Sequence, residues 1–224
     1  INDQGRNFRL LRVPVDAVWL GDAGTHTRAW EEGLPHRSSV CLEAEGAFFG
    51  FVVVSERDNG LERLLVMDTV RGTQHRIEWP EAGYTAGVGA NPMYVTESLR
   101  VNYQSPVTPP TDIDYHIPSR TRQVAKQKEI GGGFSPSNYA VERLFATAPD
   151  GVQVPLSVVY RIGTPRDGSA PALLYGYGAY GLTSDPGFSA SLLSLLDRDV
   201  YGDVKSLEEA MRRHEAPFYL RRLK

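Results

Sequence analysis

The sequence predicts a mainly β protein that turns α/β toward its C-terminal side, and three observations predict it. Short apolar runs separated by turn residues fill roughly the first 130 positions, the pattern of antiparallel strands. About 48 residues after the first set of runs, a second set of similar layout follows. Gly131-Gly132-Gly133 then breaks the rhythm, and a hairpin, a short apolar strand, a glycine-rich loop and an amphipathic helix come after it.

Taken in order, residues 8–13 read as the first strand and 47–55 as an apolar run, and Asp58-Asn59-Gly60 turns the chain into a strand over 64–68. Arg71-Gly72 leads to 75–79. The second set holds 99–103, a proline-rich turn over 106–110, then 112–117, the turn Ser119-Arg120-Thr121, and 122–128. Beyond the triple glycine, 139–146 and 152–161 flank the hairpin turn Pro149-Asp150-Gly151. Residues 171–175 read as a short buried strand and 176–187 as a glycine-rich loop. Residues 188–198, with Leu192, Leu193, Leu195 and Leu196, read as an amphipathic helix. Ser206-Leu207-Glu208-Glu209 is a capping box that starts a helix at Leu207, to run to Glu215 before Pro217.

Recurrence at about 40 to 50 residues, each unit made of several antiparallel strands, is how β-propeller blades look in sequence. A partial β-propeller of about two to three blades is therefore expected over residues 1–131, with a β-sandwich of similar hairpins as the alternative. The order of hairpin, third strand, glycine-rich loop and helix resembles the opening of an α/β-hydrolase domain, placed at 132–198, and 199–224 is expected to be a divergent helical tail. The chain opens Ile-Asn-Asp-Gln-Gly, without Met or an apolar leader, and reads as a piece of something longer.

Composition excludes several classes. Lys+Arg 24 against Asp+Glu 27 leaves a net charge of −3 with no long basic run, which argues against a nucleic-acid binder. Apolar stretches such as Phe48-Phe49-Gly50-Phe51-Val52-Val53-Val54 stop far short of the roughly 18 residues of a membrane helix. One cysteine, Cys41, fits a reducing, cytoplasmic setting. No His/Cys cluster has zinc spacing, and Asp112 and Asp114 are too isolated for a metal claim, so no cofactor is expected. The basic end (Arg212, Arg213, Arg221, Arg222, Lys224) reads as a solvated face, with docking on an acidic partner as the alternative.

The chemistry concentrates in Tyr175-Gly176-Tyr177-Gly178-Ala179-Tyr180-Gly181. Three glycines permit tight backbone and close approach, and three aromatic side chains are offered to whatever approaches. In an α/β-hydrolase the loop after the third strand supplies a donor to the oxyanion hole, and a tyrosine hydroxyl can be that donor. A glycine-rich turn with packed tyrosines is the plain alternative.

The wider context resembles the prolyl oligopeptidase family, nearest its oligopeptidase B branch. The matching residues include Asn7-Phe8-Arg9-Leu10, Leu34-Pro35-His36-Arg37, Gly133-Phe134-Ser135-Pro136-Ser137-Asn138-Tyr139 with Glu142-Arg143, and Asp150-Gly151-Val152-Gln153-Val154-Pro155. They continue through the tyrosine loop to Asp185-Pro186, Phe188-Ser189 and Ser194-Leu195-Leu196-Asp197-Arg198. The resemblance implies a serine peptidase in which a propeller filters access to an α/β-hydrolase domain, acting on short peptides after Arg or Lys. It implies Tyr177 as the oxyanion donor and Tyr180 beside the primary specificity pocket.

The chain departs from that pattern where the nucleophile is concerned. No serine has glycines at both −2 and +2; Ser135 and Ser189 have one only before them. His26, His36, His75 and His116 fall in the propeller-like part, where surface or hydrogen-bonded roles are expected, and His214 lies on a charged helix with no nucleophile to activate. The expectation is a chain related to a serine oligopeptidase but inactive alone, binding short basic peptides by resemblance and able to self-associate through unpaired strands. The alternative is a non-catalytic propeller fragment that binds peptides or subunits.

Overall fold

The computed structural model describes residues 1–14, 30–177, 180, 183–197 and 221–222. The expected helix at 207–215, the basic cluster at 212–213, His26 and His214 lie outside them.

The first sheet pairs β1 (Leu10–Arg12) with β2 (Glu31–Leu34). A four-stranded antiparallel blade follows, built in chain order from β3 (Val40–Phe48), β4 (Phe51–Asp58), β5 (Leu61–Asp68) and β6 (Thr73–Arg76). The second blade repeats it with β7 (Thr85–Val88), β8 (Ser98–Gln104), β9 (Thr111–His116) and β10 (Thr121–Gln127). The predicted repeat is thus a pair of sequential meanders. The apolar run at 47–55 is not one strand. Gly50, at φ +86°, turns the chain so that Phe48 pairs with Phe51, and the run is the two arms of a hairpin.

Apolar residues on both faces of β4 explain why that run is nearly continuous. Phe51 and Val53 join Leu64, Val66 and Ile77 against Ala86, Leu99 and Val101 of the second blade. Val54 and Leu65 face the other way, where Leu10 and Leu42 pack against them. The second blade is apolar on one face only. Its strands alternate Leu99, Val101 and Tyr103 inward with Arg100 and Asn102 outward, and the outward residues pair across the strands with Asp114 and Asp112. β10 forms a wholly exposed edge with a bulge at Val124/Lys126.

After a 3-10 turn (Pro136–Asn138), β11 (Tyr139–Thr147) and β12 (Gln153–Arg161) make the predicted hairpin. β13 is shorter than expected, Leu173–Leu174, and pairs with β14 (Arg221–Arg222), a two-residue strand where only a tail was expected. The helix α1 (Ala190–Leu196) is capped by the Ser189 hydroxyl, which accepts from the Leu192 N–H. Its Leu193 and Leu196 pack on Tyr139 and on Val107, the latter from the second blade. No helix among the described residues is long and apolar enough to cross a membrane.

Candidate functional site

β13 carries the chain out of a small-residue setting, Ala170 and Ala172 being buried, into the tyrosine loop. There Tyr175, Tyr177 and Tyr180 are 66 %, 46 % and 94 % exposed. Tyr180 takes φ +57°, a left-handed conformation that favours glycine and costs a bulky residue on the order of 1 kcal/mol or more. Among the described residues no hydrogen bond is made by the Tyr177 hydroxyl, whose side chain is about half exposed. The two expected site residues thus share one exposed loop.

The far end of that loop is tied to both blades. Arg57 on β4 donates from Nη1 to Asp185 Oδ1 at 2.7 Å and from Nε to Glu43 Oε1 at 2.5 Å. Burial works against charge on Arg57, but hydrogen bonds to these two carboxylates hold it even more firmly protonated than usual. Gln104, at the end of β8, accepts the Phe188 N–H at 3.2 Å through Oε1. A Cβ on Gly187 would stand 3.3 Å from the Gln104 Nε2, a tight contact. Tyr139 donates to Asp197 at the C-terminal cap of α1 at 2.7 Å, which joins the helix to the start of β11.

A second seam runs between the first blade and the β11–β12 hairpin. Asn59 and Gly60, at φ +52° and +71°, form the two-residue turn that an Asn-Gly pair favours. A Cβ on Gly60 would stand 2.9 Å from Pro155, so the site requires glycine for space as well as for φ. Arg143 reaches over this turn, donating to the Asn59 carbonyl and the Ser157 hydroxyl. Glu62 is pushed up by burial, against the opposing pull of the Arg57 charge.

The remaining candidates take structural roles. His75 bonds Tyr115 at 2.8 Å between the blades, and burial followed by Arg120 pushes its pKa down. His116 bonds Ser119 at 2.7 Å. Asp114 is held by Arg100, whose hydrogen bonds lower its pKa. No group of three or more metal-ligating residues occurs among the described residues. Ser189 caps α1 and bonds Ser191, and Ser135 bonds Ser137; among the described residues neither glycine-preceded serine bonds a histidine. Neither Arg57 nor Gln104 stands in a sequence motif that marks it. Arg57 and its partner Asp185 are 128 positions apart, and no local pattern signals such a pair.

A family profile describing the N-terminal β-propeller domain of prolyl oligopeptidase matches residues 1–128. The chain belongs to the prolyl oligopeptidase family. It is 38 % identical over 199 residues to dipeptidyl aminopeptidase BI of Pseudoxanthomonas mexicana, covering 88 % of this chain and 26 % of that protein. It is 31 % identical to protease 2 of Moraxella lacunata, over 89 % of this chain and 27 % of that one. Among solved structures it is similar to oligopeptidase B from Trypanosoma brucei with covalently bound antipain, with a TM-score of 0.67 and 33 % identity over 75 % of this chain and 25 % of that one. It is also similar to oligopeptidase B from Leishmania major, with a TM-score of 0.66 and 34 % identity over 75 % and 24 %. The chain spans about a quarter of the length of these relatives.

Proposed function

We propose that the chain is the propeller-side part of an oligopeptidase that cleaves short peptides after Arg or Lys, and that it supplies the oxyanion donor Tyr177 but does not turn over by itself. The observation that carries the reading is the exposed Tyr177 loop, leaving a β-strand and anchored by Asp185 and Phe188 to two propeller blades. A phenol there donates to the oxygen that becomes negative when an acyl group is attacked, a charge the ground-state carbonyl does not carry. Tyr180 is assigned to the wall of the pocket for the basic side chain. The boundary between the propeller part and the start of the α/β-hydrolase domain is placed at 131/132, and the single Cys41 is consistent with a reducing, cytoplasmic setting.

Inactivity of the chain alone follows from chemistry: no serine sits in a Gly-x-Ser-x-Gly elbow, and an oxyanion donor without a nucleophile has no tetrahedral intermediate to stabilise. Self-association through β10 is the weaker partner reading, because the bulge and the flanking Arg122 and Lys126 blunt that edge.

The test has two arms. The purified chain is given Arg- and Lys-coumarin peptides and a fluorophosphonate probe; neither turnover nor serine labelling is expected, and both together refute the claim of inactivity. The chain is then combined with the remaining hydrolase segment of a relative, and turnover is expected to appear. In that complex Tyr177→Phe is expected to lower kcat about 10²- to 10³-fold, and an unchanged kcat removes Tyr177 from the oxyanion hole.

A further inference from the structure

Arg57, Arg76 and Arg100 each hold a carboxylate oxygen within hydrogen-bond reach. Two arginines near the second seam are less well matched: among the described residues Arg143 forms no ion pair, and Arg63 has only a long one with Asp58 at 3.8 Å. Arg143 is partly buried, and its guanidinium reaches only neutral acceptors, the Ser157 hydroxyl at 2.8 Å and the Asn59 carbonyl at 2.5 Å. Burial and then the charge of Arg63 push its pKa down, the opposite of what acid-paired arginines show. Arg63 keeps a buried Nε with no hydrogen-bond partner. Its nearest carboxylate oxygen, on Asp58, is 3.8 Å away, beyond hydrogen-bond reach, and already accepts from Arg76 at 2.8 Å. Asp185 is close enough to act on Arg143 but is taken by Arg57. Tyr84, only 4 % exposed, feels both guanidiniums.

We propose that Arg63 and Arg143 form a seat for a carboxylate group at the seam between the first blade and the β11–β12 hairpin, apart from the Tyr177 loop. A guanidinium presents parallel N–H donors that fit the two oxygens of a carboxylate, and Ser157 and Asn59 fix the orientation of the Arg143 fork. An anion here also relieves the repulsion between two positive groups held in a partly dry site. The carboxylate comes from the C-terminal end of a bound peptide or from a small free acid. The peptide source rests on the function proposed above; the seat itself does not.

The experiment titrates the full chain, at fixed ionic strength, with a short basic peptide bearing a free C-terminus, with the same peptide as its amide, with acetate and with inorganic phosphate. The free acid is expected to bind at least about tenfold tighter than the amide, and Arg143→Met is expected to erase that difference. Arg143→Lys, which keeps the charge and loses the fork, is expected to retain part of it. Arg63→Met leaves the Asn59 contact intact and is expected to reduce it severalfold, so the proposal stays testable if Arg143→Met does not fold. Acetate binding lost in both Met variants, without peptide binding, supports the seat and assigns it to a small free acid. Equal affinity for acid and amide with no acetate response, a difference that survives both Met variants, or phosphate outcompeting acetate overturns the proposal. None of these outcomes changes the turnover test of Tyr177, so the two readings fail separately.

Discussion

Replacing Asp185 with asparagine removes one charge from the only described ion pair that joins the loop after Tyr177 to the first blade. Arg57 and Asp185 side chains are 16 % and 32 % exposed, so water screens the pair in part. Two unit charges about 4 Å apart at an effective dielectric of about 20 attract by about 4 kcal/mol before desolvation is subtracted. Arg57 retains Glu43 at 2.5 Å and is not left unpaired, and an asparagine oxygen can still accept. The net loss is then about 1–2 kcal/mol, a factor of about 5–30 in local opening. Amide hydrogen exchange reads it directly. The Phe188 N–H, donated to Gln104, and the Gly187 N–H, donated to the Asp185 carbonyl at 2.9 Å, are expected to exchange about 5–30 times faster in Asp185→Asn. Amides within β4 and β5 are expected to keep their wild-type rates, and added salt is expected to narrow the gap. Unchanged exchange at Phe188, or an equal rise in the blade core, refutes the claim that this pair anchors the loop.

Two further outcomes test the fold and its titration. Leu64 is fully buried between the blades, so Leu64→Ala is expected to cost about 3 kcal/mol or more, seen as a lower urea midpoint, whereas Phe49→Ala, at a site 64 % exposed, is expected to stay within about 0.5 kcal/mol. Glu142 accepts from Tyr160 and is paired with Arg166, and these contacts hold its pKa below the ordinary 4.5. A carboxyl depressed by folding adds stability above its unfolded pKa and loses it as pH falls through the folded value. Glu142→Gln is therefore expected to be less stable than wild type at neutral pH, with the difference closing below about pH 4.5 in urea titrations, and a gap that persists at pH 2–3 contradicts the assignment.

Local features were legible wherever the chain itself enforces them. Asn59-Gly60 announces its turn because few other pairs adopt two consecutive positive φ values without strain, and the alternation of Leu99, Val101 and Tyr103 announces a strand with one buried face. The run at 47–55 misled because both faces of β4 are buried, which removes the alternation that would have marked the hairpin at Phe49 and Gly50. β2 and β7 escaped notice because Glu31–Leu34 and Thr85–Val88 are too short and too weakly patterned to show a period. Their pairing comes from the neighbouring strand.

The sequence by itself determined the strand-rich blades, the glycine-rich tyrosine loop and the absence of a nucleophile elbow, because each is a matter of residue type within a few positions. Tertiary structure decided which charges meet. Arg57 finds Asp185 across 128 positions, Gln104 finds Phe188 across 84, and Arg143 crosses 84 to reach Asn59 while among the described residues no carboxylate accepts from it. Such pairings depend on where folding brings separate segments together, and closing loops of that length carries an entropic cost that no local residue pattern records.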